Sequence, residues 1–513
     1  MKPLLSFKES KALDEYIITT YDISSLELVE SAGLSIFLAM RSALKELHDL
    51  SARILVIAGS GNNGADALTV AKYLLFYGYT NTSILLHESK NANIALKTNQ
   101  LKAICNNLYT YNNPPPFDSS WDVIIDGFLG VGTTRPLLEL PEHLASILCN
   151  SKAPVVAIDV PSGIFELQTD TSSLPAQFTV ISAQDTFMIS PLKYTAFTPG
   201  FRKACGTIFE IGNVFPHTIP PALPFSSTQI NKIDYSDIAL FTSQISLFSH
   251  KYERGSILVY GGSTSYTGAP LLAAHAAEAA GAGLVTLRVP ETIFELFAGQ
   301  TSGIIIETDS STQSRQIHAC LCGPGWENNE KNRNTFITLY KQKVPLVIDA
   351  TCLAFLDTQF LQYRNTENIL ICTPHVAEMA RLVVALSMYD TYETALKEVL
   401  YNTKHVLCTA SSLLHAVIVL KAATTWIASP DGTIFIYDGV NPSLAVGGSG
   451  DVLSGCIAAF LSRNPQNPIH AACSSVLLHG KSGELLAAQH GFFDAANLID
   501  TIAQLSYKEI FHG

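Results

Sequence analysis

The chain has 513 residues, which is too long for one ordinary domain, so about two to four domains are expected. Hydrophobic residues make up 47% of it and charged residues 15%, with a mean hydropathy of +0.23, a composition typical of a packed globular protein rather than a disordered or coiled one. The net charge of -12 argues against a nucleic-acid binder that works through bulk electrostatics. Local backbone amides can still bind an anionic substrate.

The ten cysteines are scattered and form no C-x-x-C pair. Cys320 and Cys322 lie two apart on a predicted strand, and we interpret them as small buried apolar residues rather than metal ligands. The apolar stretch near the N-terminus is too short for a signal peptide, and no run of 18 uncharged apolar residues occurs. These features predict a cytoplasmic, reduced protein with no membrane partner.

Short β-branched segments alternate with helical patterns from residue 53 to 160, and a second series of this kind begins near residue 256. Such alternation predicts βαβ units and parallel sheets in both halves. The proline-rich segment 212–227 lacks a clear period and is the predicted linker, with the domain boundary between residues 225 and 226. Late in the chain, apolar segments on either side of Pro430-Asp431-Gly432 predict a hairpin.

The first candidate site is the segment VIAGSGNNGADAL, residues 56 to 68, which reads as a strand, a glycine-asparagine loop and a helix. Exposed amides at the helix start favour an anion, although a tight turn alone would also explain the glycines. Asn62, Asn63 and Asp66 exceed what a turn needs, because they supply hard oxygen ligands for a cation or polar anchors for a ligand.

Two further carboxylates, Asp126 and Asp159, end predicted strands on the side where open α/β sheets bind ligands. Either one alone is explained equally well as the N-cap of a following helix. Because both precede glycine-rich turns, we expect a pocket shared with the asparagine loop.

The segment GGSGDVLSGCIAAFL, residues 447 to 461, looks like a phosphate-binding loop that leads into a helix, with Asp451 where the phosphates should go. The helix dipole is expected to hold the Asp451 pKa low until a bound polyphosphate raises it and makes the carboxylate a better base. An ordinary N-cap is the alternative role. His375, in TPHVAEMARL, similarly reads as a cap or as a pocket residue.

Several of these motifs resemble those of known protein families. GSGNNGADAL, DGFLGVGTTRP, AIDVPSG and LVESAG resemble the YjeF N-terminal family, the NAD(P)H-hydrate epimerases. ERGSILVYGGSTSYTGAP, CGPG, VIDA, TPHVAEMARL and NPSLAVGGSGDVLSG are similar to the ADP- or ATP-dependent NAD(P)H-hydrate dehydratases. The resemblance implies an α/β protein with an N-terminal Rossmann-like three-layer sandwich (residues 1–225) followed by a ribokinase-like α/β domain (residues 226–513).

In the first half, the resemblance implies a potassium ion held by Asn63, Asp126 and Ser162, and a catalytic Asp159. The implied substrate contacts are Asn62, Asn63, Gly64, Ala65, Asp66, Gly130, Val131, Gly132, Thr133, Thr134, Arg135 and Pro136. This chain has Ala65 and Ala67 where the family usually has glycine. The family also places a proline-lysine pair after a T-V-T-F strand, and the nearest stretch here, FTVISAQDTFMIS, lacks the lysine.

In the second half, the resemblance implies that Asp451 is the general base. The implied nucleotide-binding residues are Lys421, Ala422, Ala423, Thr424, Thr425 and Gly450, and the implied substrate-binding residues are Ala269, Gly323, Gly325, His375 and Asn441. Thr351 departs from the family, which usually has aspartate there.

The predicted function is metabolite repair: ADP-dependent dehydration of (6S)-NAD(P)H hydrate, with epimerisation of the R and S hydrates by the first half. The implied partners are NADHX, NADPHX, ADP or ATP, Mg2+ and K+, and a homo-oligomer of four or more chains, as in relatives. A ribokinase-like small-molecule kinase with a non-catalytic N-terminal binding or assembly module is the alternative.

Overall fold

The computed structural model describes residues 1–87, 89–116, 120–167, 174–175, 177–215, 230–299, 301, 303–311 and 315–511. The chain divides into an N-terminal unit, Pro3–Ser227, and a C-terminal unit, Thr228–Gly513 with Met1–Lys2. From residue 216 onward the predicted linker lies outside the described residues. The predicted boundary between residues 225 and 226 lies there too and stays a prediction.

The described residues form strands and helices in alternation along most of the chain. The strands are β1 (Lys2–Pro3), β2 (Ile54–Ala58), β3 (Thr82–Leu86), β4 (Leu108–Thr110), β5 (Val123–Gly127), β6 (Val155–Ile158), β7 (Asp185–Ile189), β8 (Thr207–Ile211), β9 (Ile230–Ile233), β10 (Ser256–Tyr260), β11 (Leu284–Val289), β12 (Ile305–Thr308), β13 (Ala319–Cys322), β14 (Leu346–Ile348), β15 (Leu370–Cys372), β16 (Val417–Leu420), β17 (Thr425–Ala428) and β18 (Ile434–Tyr437). The α-helices are α1 (Phe7–Tyr21), α2 (Ser25–Ala43), α3 (Asn62–Phe76), α4 (Ala92–Lys102), α5 (Glu142–Asn150), α6 (Gly268–Ala279), α7 (Phe294–Phe297), α8 (Glu330–Lys341), α9 (Val376–Ala385), α10 (Tyr392–Tyr401), α11 (Thr403–Leu414), α12 (Ser449–Arg463), α13 (Pro468–His490) and α14 (Ala495–Phe511).

The N-terminal unit is built on a parallel seven-stranded sheet in the order β4-β3-β2-β5-β6-β7-β8. Strand β2 reads ILVIA and is buried throughout, as expected for a strand covered on both faces. Its Ile54, Val56 and Ala58 pack with α2, α3 and α4, whereas Leu55 and Ile57 pack with α5 on the other face. Helices on both faces make this unit a three-layer sandwich.

The C-terminal unit is built on an eleven-stranded sheet in the order β1-β9-β18-β17-β16-β15-β14-β13-β10-β11-β12. Strands β10 to β16 pair in parallel, and the predicted hairpin is present as the antiparallel pair β17 and β18. Its turn contains Gly432 at a φ of +89°. Both sheets are therefore mainly parallel, as the alternating sequence pattern predicts.

Helices α6 and α12 pack closely on one face of the C-terminal sheet. A Cβ atom at Gly455 would lie 2.1 Å from the Ala273 carbonyl oxygen, so the two helix backbones approach where only glycine fits. A Cβ atom at Gly448, just before α12, would lie 2.5 Å from a methyl carbon of Leu272. This packing brings the two helix starts together.

Among the described residues, no single helix has the length and hydropathy needed to cross a membrane. Helices α1 and α2, which are bent by 119° where they meet, have that length and composition only when they are taken together.

Candidate active sites

The N-terminal unit contains a cavity of about 510 Å³ at the carboxyl ends of β2, β5 and β6, where open α/β sheets bind ligands. Its walls come from one side of α1, the first half of α2, the start of α3, the loop after β5 and the segments after β6, β7 and β8. As predicted from the sequence, the asparagine loop shares a pocket with the turns that follow Asp126 and Asp159. The predicted residues on its wall are Asn62, Asn63, Asp66, Gly130, Val131, Gly132, Thr133, Thr134, Arg135 and Asp159.

The asparagine loop follows β2 and needs glycine for two close approaches. A Cβ atom at Gly59 would lie 1.7 Å from the Phe128 carbonyl oxygen, and one at Gly64 would lie 2.0 Å from the Gly59 carbonyl oxygen. Helix α3 then begins at Asn62 with Gly61 as its N-cap and no side-chain cap. The first amides of α3 are therefore left for an anionic ligand.

Three predicted contact residues do not reach this cavity. Ala65 is buried in the core cluster of the sheet, and a Cβ atom at Gly64 would lie 2.0 Å from the Gly59 carbonyl oxygen. Pro136 lies beyond the lining residues, and the Leu137 carbonyl that follows it accepts a hydrogen bond from the Thr179 amide at 2.7 Å. Contact of these three residues with substrate stays a prediction.

The three predicted potassium ligands are linked through the loop after β5. Fully buried Asp126 accepts hydrogen bonds from the Ser162 hydroxyl at 2.6 Å and the Ser162 amide at 2.8 Å. The Ser162 hydroxyl accepts from the Leu129 amide at 2.7 Å, and Asn63 Nδ2 donates to the Leu129 carbonyl at 2.8 Å. Asn63 Oδ1 is buried with no hydrogen-bond partner among the described residues.

Asp159 forms a buried ion pair with Lys193. Its Oδ1 lies 2.7 Å from Lys193 Nζ and also accepts a hydrogen bond from the Ile189 amide at 3.1 Å. Both side chains are buried and both line the cavity. Asp159 has a φ of +63°, a left-handed conformation that aspartate tolerates better than most residues.

The sequence prediction that this part of the chain lacks its lysine was wrong. The chain leaves β7 at Ile189, passes through Ser190 and Pro191, and returns Lys193 to the cavity. The lysine was missed because the stretch compared with the family pattern, FTVISAQDTFMIS, ends at Ser190, whereas Lys193 follows in the segment SPLK. The strand DTFMI followed by a serine-proline turn was the signal that could have located it.

Several carboxyl groups share this cavity, and the pKa is raised for two of them, Asp66 and Asp14. Burial raises the pKa of Asp66 well above its usual value, and the charges of Asp159 and Asp14 raise it further. Burial likewise raises the pKa of Asp14 to about 6. Asp14 lies outside every motif singled out in the sequence.

The second candidate site lies at the start of α12, in the C-terminal unit. Gly448, with a φ of +91°, is the N-cap, and no side chain caps the helix. Asp451 is the third residue of α12, so its interpretation as an ordinary N-cap is wrong. A Cβ atom at Gly450 would lie 3.4 Å from Lys421 Nζ, which places the lysine directly beside this glycine loop.

Lys421 is held between three carboxyl groups. Its Nζ lies 2.7 Å from Asp349 Oδ1, and its amide donates to the Pro374 carbonyl at 2.8 Å. Burial lowers the pKa of Lys421, but Asp349, Glu378 and Asp451 raise it, and the net result is above the usual value. The ammonium group is therefore charged and faces the helix start.

Asp451 does not have the low proton affinity that the helix dipole predicts. Burial raises its pKa to about 7, Asp349 and Glu378 raise it too, and Lys421 opposes them. The dipole contributes only about 0.3 to 1 kcal/mol at an exposed helix end. Desolvation and neighbouring charges therefore outweigh it here.

His375 is the N-cap of α9. Its Nδ1 accepts hydrogen bonds from the amides of Ala377 at 3.1 Å and Glu378 at 3.3 Å. Glu378 completes the capping box through the His375 amide at 2.8 Å. The capping role predicted as one alternative is thus present, and contact with substrate stays a prediction.

The remaining predicted residues lie in loops of the C-terminal unit. Gly323 and Gly325 have φ values of +120° and +70°, and a Cβ atom at Gly323 would lie 1.9 Å from the Asp349 carbonyl oxygen. Half-buried Ala269 is the second residue of α6, and Ala422, Ala423 and Thr424 lie between β16 and β17, which starts at Thr425. Asn441 Oδ1 accepts from the Ser443 amide at 3.0 Å, and its buried Nδ2 has no partner among the described residues.

A parallel sheet with a lysine and an aspartate at an uncapped glycine-rich helix start defines a nucleotide-dependent α/β enzyme, joined here to a second α/β unit with its own polar cavity. Residues 257–504 match the family model described as NAD(P)H-hydrate dehydratase, and residues 25–193 match that of the YjeF-related protein N-terminus. A bifunctional NAD(P)H-hydrate repair enzyme from Moorella thermoacetica is 30% identical over 95% of this chain and 93% of its own. One from Escherichia coli is 28% identical over 98% and 92%.

The chain therefore belongs to the family of bifunctional NAD(P)H-hydrate repair enzymes, which confirms the resemblance stated from its motifs. Among solved structures, an ADP/ATP-dependent NAD(P)H-hydrate dehydratase from Bacillus subtilis, co-crystallised with ATP and Mg2+, is 25% identical. It covers 55% of this chain and 99% of its own, with a TM-score of 0.48. The predicted fold class, α/β in both halves with an N-terminal three-layer sandwich, is confirmed, and the ribokinase-like assignment of the second half stays a prediction.

Proposed function

We propose that the C-terminal unit dehydrates (6S)-NAD(P)H hydrate at the expense of ADP, and that the N-terminal unit interconverts the R and S hydrates. The observation that supports the dehydratase proposal is the position of Asp451, at an uncapped helix start beside Lys421. A carboxylate there is suited to deprotonate an alcohol while neighbouring amides hold phosphates.

In the dehydration, Asp451 takes the proton of the substrate hydroxyl, and the oxygen attacks the terminal phosphorus of ADP, which releases AMP. The new phosphate ester is a far better leaving group than hydroxide. Loss of phosphate with the proton of the neighbouring ring carbon then restores the double bond and gives NADH or NADPH. Lys421, whose charge is stabilised by Asp349, is proposed to hold the transferring phosphate.

The nucleotide is proposed to lie along the glycine loop, with Gly450 and the segment from Lys421 to Thr425 as its contacts. Ala269, Gly323, Gly325, His375 and Asn441 are proposed to contact the hydrate, and the unpartnered Asn441 Nδ2 supports this because a buried donor favours a ligand acceptor. Mg2+ bound on the phosphates would neutralise charge as it develops. Asp349 and Asp451, two of the carboxylates around Lys421, would be available to hold it.

In the N-terminal unit, Asp159 and Lys193 are proposed to act on the hydrated carbon of the nicotinamide ring. The asparagine loop and residues 130–135 are proposed to bind the rest of the dinucleotide. K+ fits the oxygen-rich loop: Asn63 Oδ1 is an orphaned buried acceptor, and Asn63 is linked through the Leu129 backbone to Ser162 and so to Asp126. A K+ ion held by these residues would supply positive charge beside the asparagine loop. A cytoplasmic location and a homo-oligomer of four or more chains complete the proposal.

The test uses purified protein with the separated R and S hydrates, each with ADP, with ATP and without nucleotide. We expect reduced-nicotinamide absorbance to recover from both epimers with ADP, accompanied by AMP and phosphate. Recovery from the S hydrate alone would overturn the epimerase assignment. A stable phosphorylated product without recovery would instead favour a small-molecule kinase.

A further inference from the structure

Helix α1 forms one wall of the N-terminal cavity although it precedes residue 25, where the family-model match begins. Its start is fixed to the segment that carries Lys193: the Leu5 amide donates to the Leu192 carbonyl at 2.9 Å, and the Tyr194 amide donates to the Leu5 carbonyl at 3.1 Å. A capping box between Ser6 and Glu9 then starts the helix. The orientation of α1 is thus tied to the Lys193 segment.

The spacing of residues along α1 divides it into two faces. Ser10, Asp14 and Ile18, each four residues apart, line the cavity. Leu13 and Ile17 are fully buried and pack in an apolar cluster. The apolar face therefore fixes the rotation of the helix, which turns the Asp14 carboxyl group toward the ligand space.

Asp14 differs from Asp159 in its partners. Asp159 is held by Lys193 and by the Ile189 amide, so its carboxyl group is oriented. Within the part of the chain that the structure describes, no hydrogen bond or ion pair engages the Asp14 carboxyl group. The titratable groups around it are Lys193 and Asp159 from the cavity wall, Glu15 and Lys11 from its own helix, and Asp66 from α3.

We propose that Asp14 is a second catalytic residue of the epimerisation, acting as the general acid at the hydroxyl of the hydrated carbon. The inference rests on the proposed epimerase function of this unit. The acid form of Asp14 donates its proton to the hydroxyl oxygen as the carbon–oxygen bond breaks, and the lone pair of the ring nitrogen forms a carbon–nitrogen double bond. Water then adds to the opposite face and gives its proton to Asp159. Exchange with solvent removes that proton from Asp159 and returns one to Asp14, so the atoms and charges balance and no co-reactant is consumed.

The electrostatics of the cavity suit this role. Burial raises the pKa of Asp14 to about 6, Asp159 and Glu15 raise it as well, and Lys193 opposes them. An acid with a pKa close to the working pH is the most effective proton donor. Because the acid form is needed, the enzymatic epimerisation rate should fall as the pH rises through about 6.

The test compares Asp14→Asn, Asp14→Glu and the control Asp22→Asn over a pH series, with the uncatalysed epimerisation subtracted. Asp22 is the exposed C-cap of α1 in the left-handed conformation, which asparagine adopts readily, and it does not line the cavity. We expect Asp14→Asn to slow epimerisation by about 10²-fold or more. The epimerisation rate of Asp14→Asn should also no longer fall near pH 6. Asp14→Glu should keep part of the epimerisation rate and its fall near pH 6. Asp22→Asn should match the unmodified protein.

Dehydration of the S hydrate by the same preparations should stay unchanged, since it takes place in the other unit. Normal epimerisation and an unchanged pH profile in Asp14→Asn would overturn the proposal. If Asp14→Asn fails to fold, Asp14→Glu decides the test. An epimerisation rate that no longer falls near pH 6 in Asp14→Glu would overturn the proposal, and a rate that still falls there would support the proposal. No epimerisation by the unmodified protein would instead refute the proposed function.

Discussion

The Asp451 carboxyl group lies among charges of both signs, and this decides how it can act. Asp349 and Glu378 disfavour its ionisation together with burial, whereas Lys421 favours it, and the resulting pKa of about 7 is higher than an exposed carboxyl group has. A base with this pKa is half ionised near neutral pH and takes up a proton more readily than an ordinary aspartate. A bound polyphosphate would add negative charge and raise the pKa again.

Asp451→Asn is expected to lower the turnover of ADP-dependent dehydration by at least about 10²-fold, because asparagine cannot accept the hydroxyl proton. ADP affinity should stay within a few-fold, since Lys421 and the helix amides remain. Turnover by stopped assay and ADP binding by calorimetry would measure the two effects. Near-normal turnover would remove the general-base assignment.

The pH dependence of the unmodified dehydratase follows from the same pKa. The base form of Asp451 predominates only above a pH of about 7, and bound ADP raises the pKa further, so kcat/KM for the S hydrate should rise with pH through about 7 and level off only above it. A profile of initial rates at low hydrate concentration would measure it. A flat profile between pH 5 and 8 would contradict the assignment.

At the scale of elements, the start of α12 is positioned by its contact with α6. The contact depends on Gly455, because a Cβ atom there would meet the Ala273 carbonyl oxygen at 2.1 Å, and backbone cannot move aside as a flexible side chain can. The α12 sequence supplies a buried apolar face from Val452 to Leu461 that fixes the rest of the helix against the core.

Gly455→Ala is expected to destabilise the C-terminal unit by about 1 to 3 kcal/mol or more, because the added methyl group overpacks the contact between α6 and α12. Gly268→Ala is the matched control: it adds the same group at the start of α6, where a Cβ atom would meet nothing within 4 Å. Thermal unfolding of both variants would measure the difference. Equal unfolding temperatures would show that the helices can separate freely.

Local patterns predicted the two parallel sheets, the hairpin, the asparagine loop and the glycine loop, because each is encoded by neighbouring residues. The site features that the sequence did not predict depend instead on residues that are far apart in the chain. Lys193 reaches Asp159 only after the chain turns beyond β7, and Asp14 reaches the cavity because α1 packs beside that turn. The pKa of Asp451 depends on Asp349, whose position beside it is set by the order of strands in the sheet.

At the scale of the molecule, each unit has its own sheet, its own core and its own candidate site. A hydrate released from one unit can then be used by another chain. Asp159 suits a loss-of-function variant because asparagine tolerates its left-handed backbone conformation.

A mixture of Asp451→Asn and Asp159→Asn proteins is therefore expected to convert the R hydrate to reduced dinucleotide with ADP, although neither variant does so alone at a comparable rate. Each variant keeps one intact site, and the S hydrate diffuses between them. The rate of absorbance recovery in the mixture, compared with each variant alone, measures the effect. No recovery in the mixture would mean that the two steps need one intact chain.

Strand β9 opens the main body of the C-terminal unit yet pairs with β18, which is completed only at Tyr437. During synthesis on the ribosome, β9 therefore keeps an unpaired edge until the chain has emerged as far as Tyr437. Such distant pairing slows folding and leaves the nascent chain open to association with other strands in the meantime. The enzyme should consequently depend on chaperones more than a protein of its size whose neighbouring strands are adjacent in the chain.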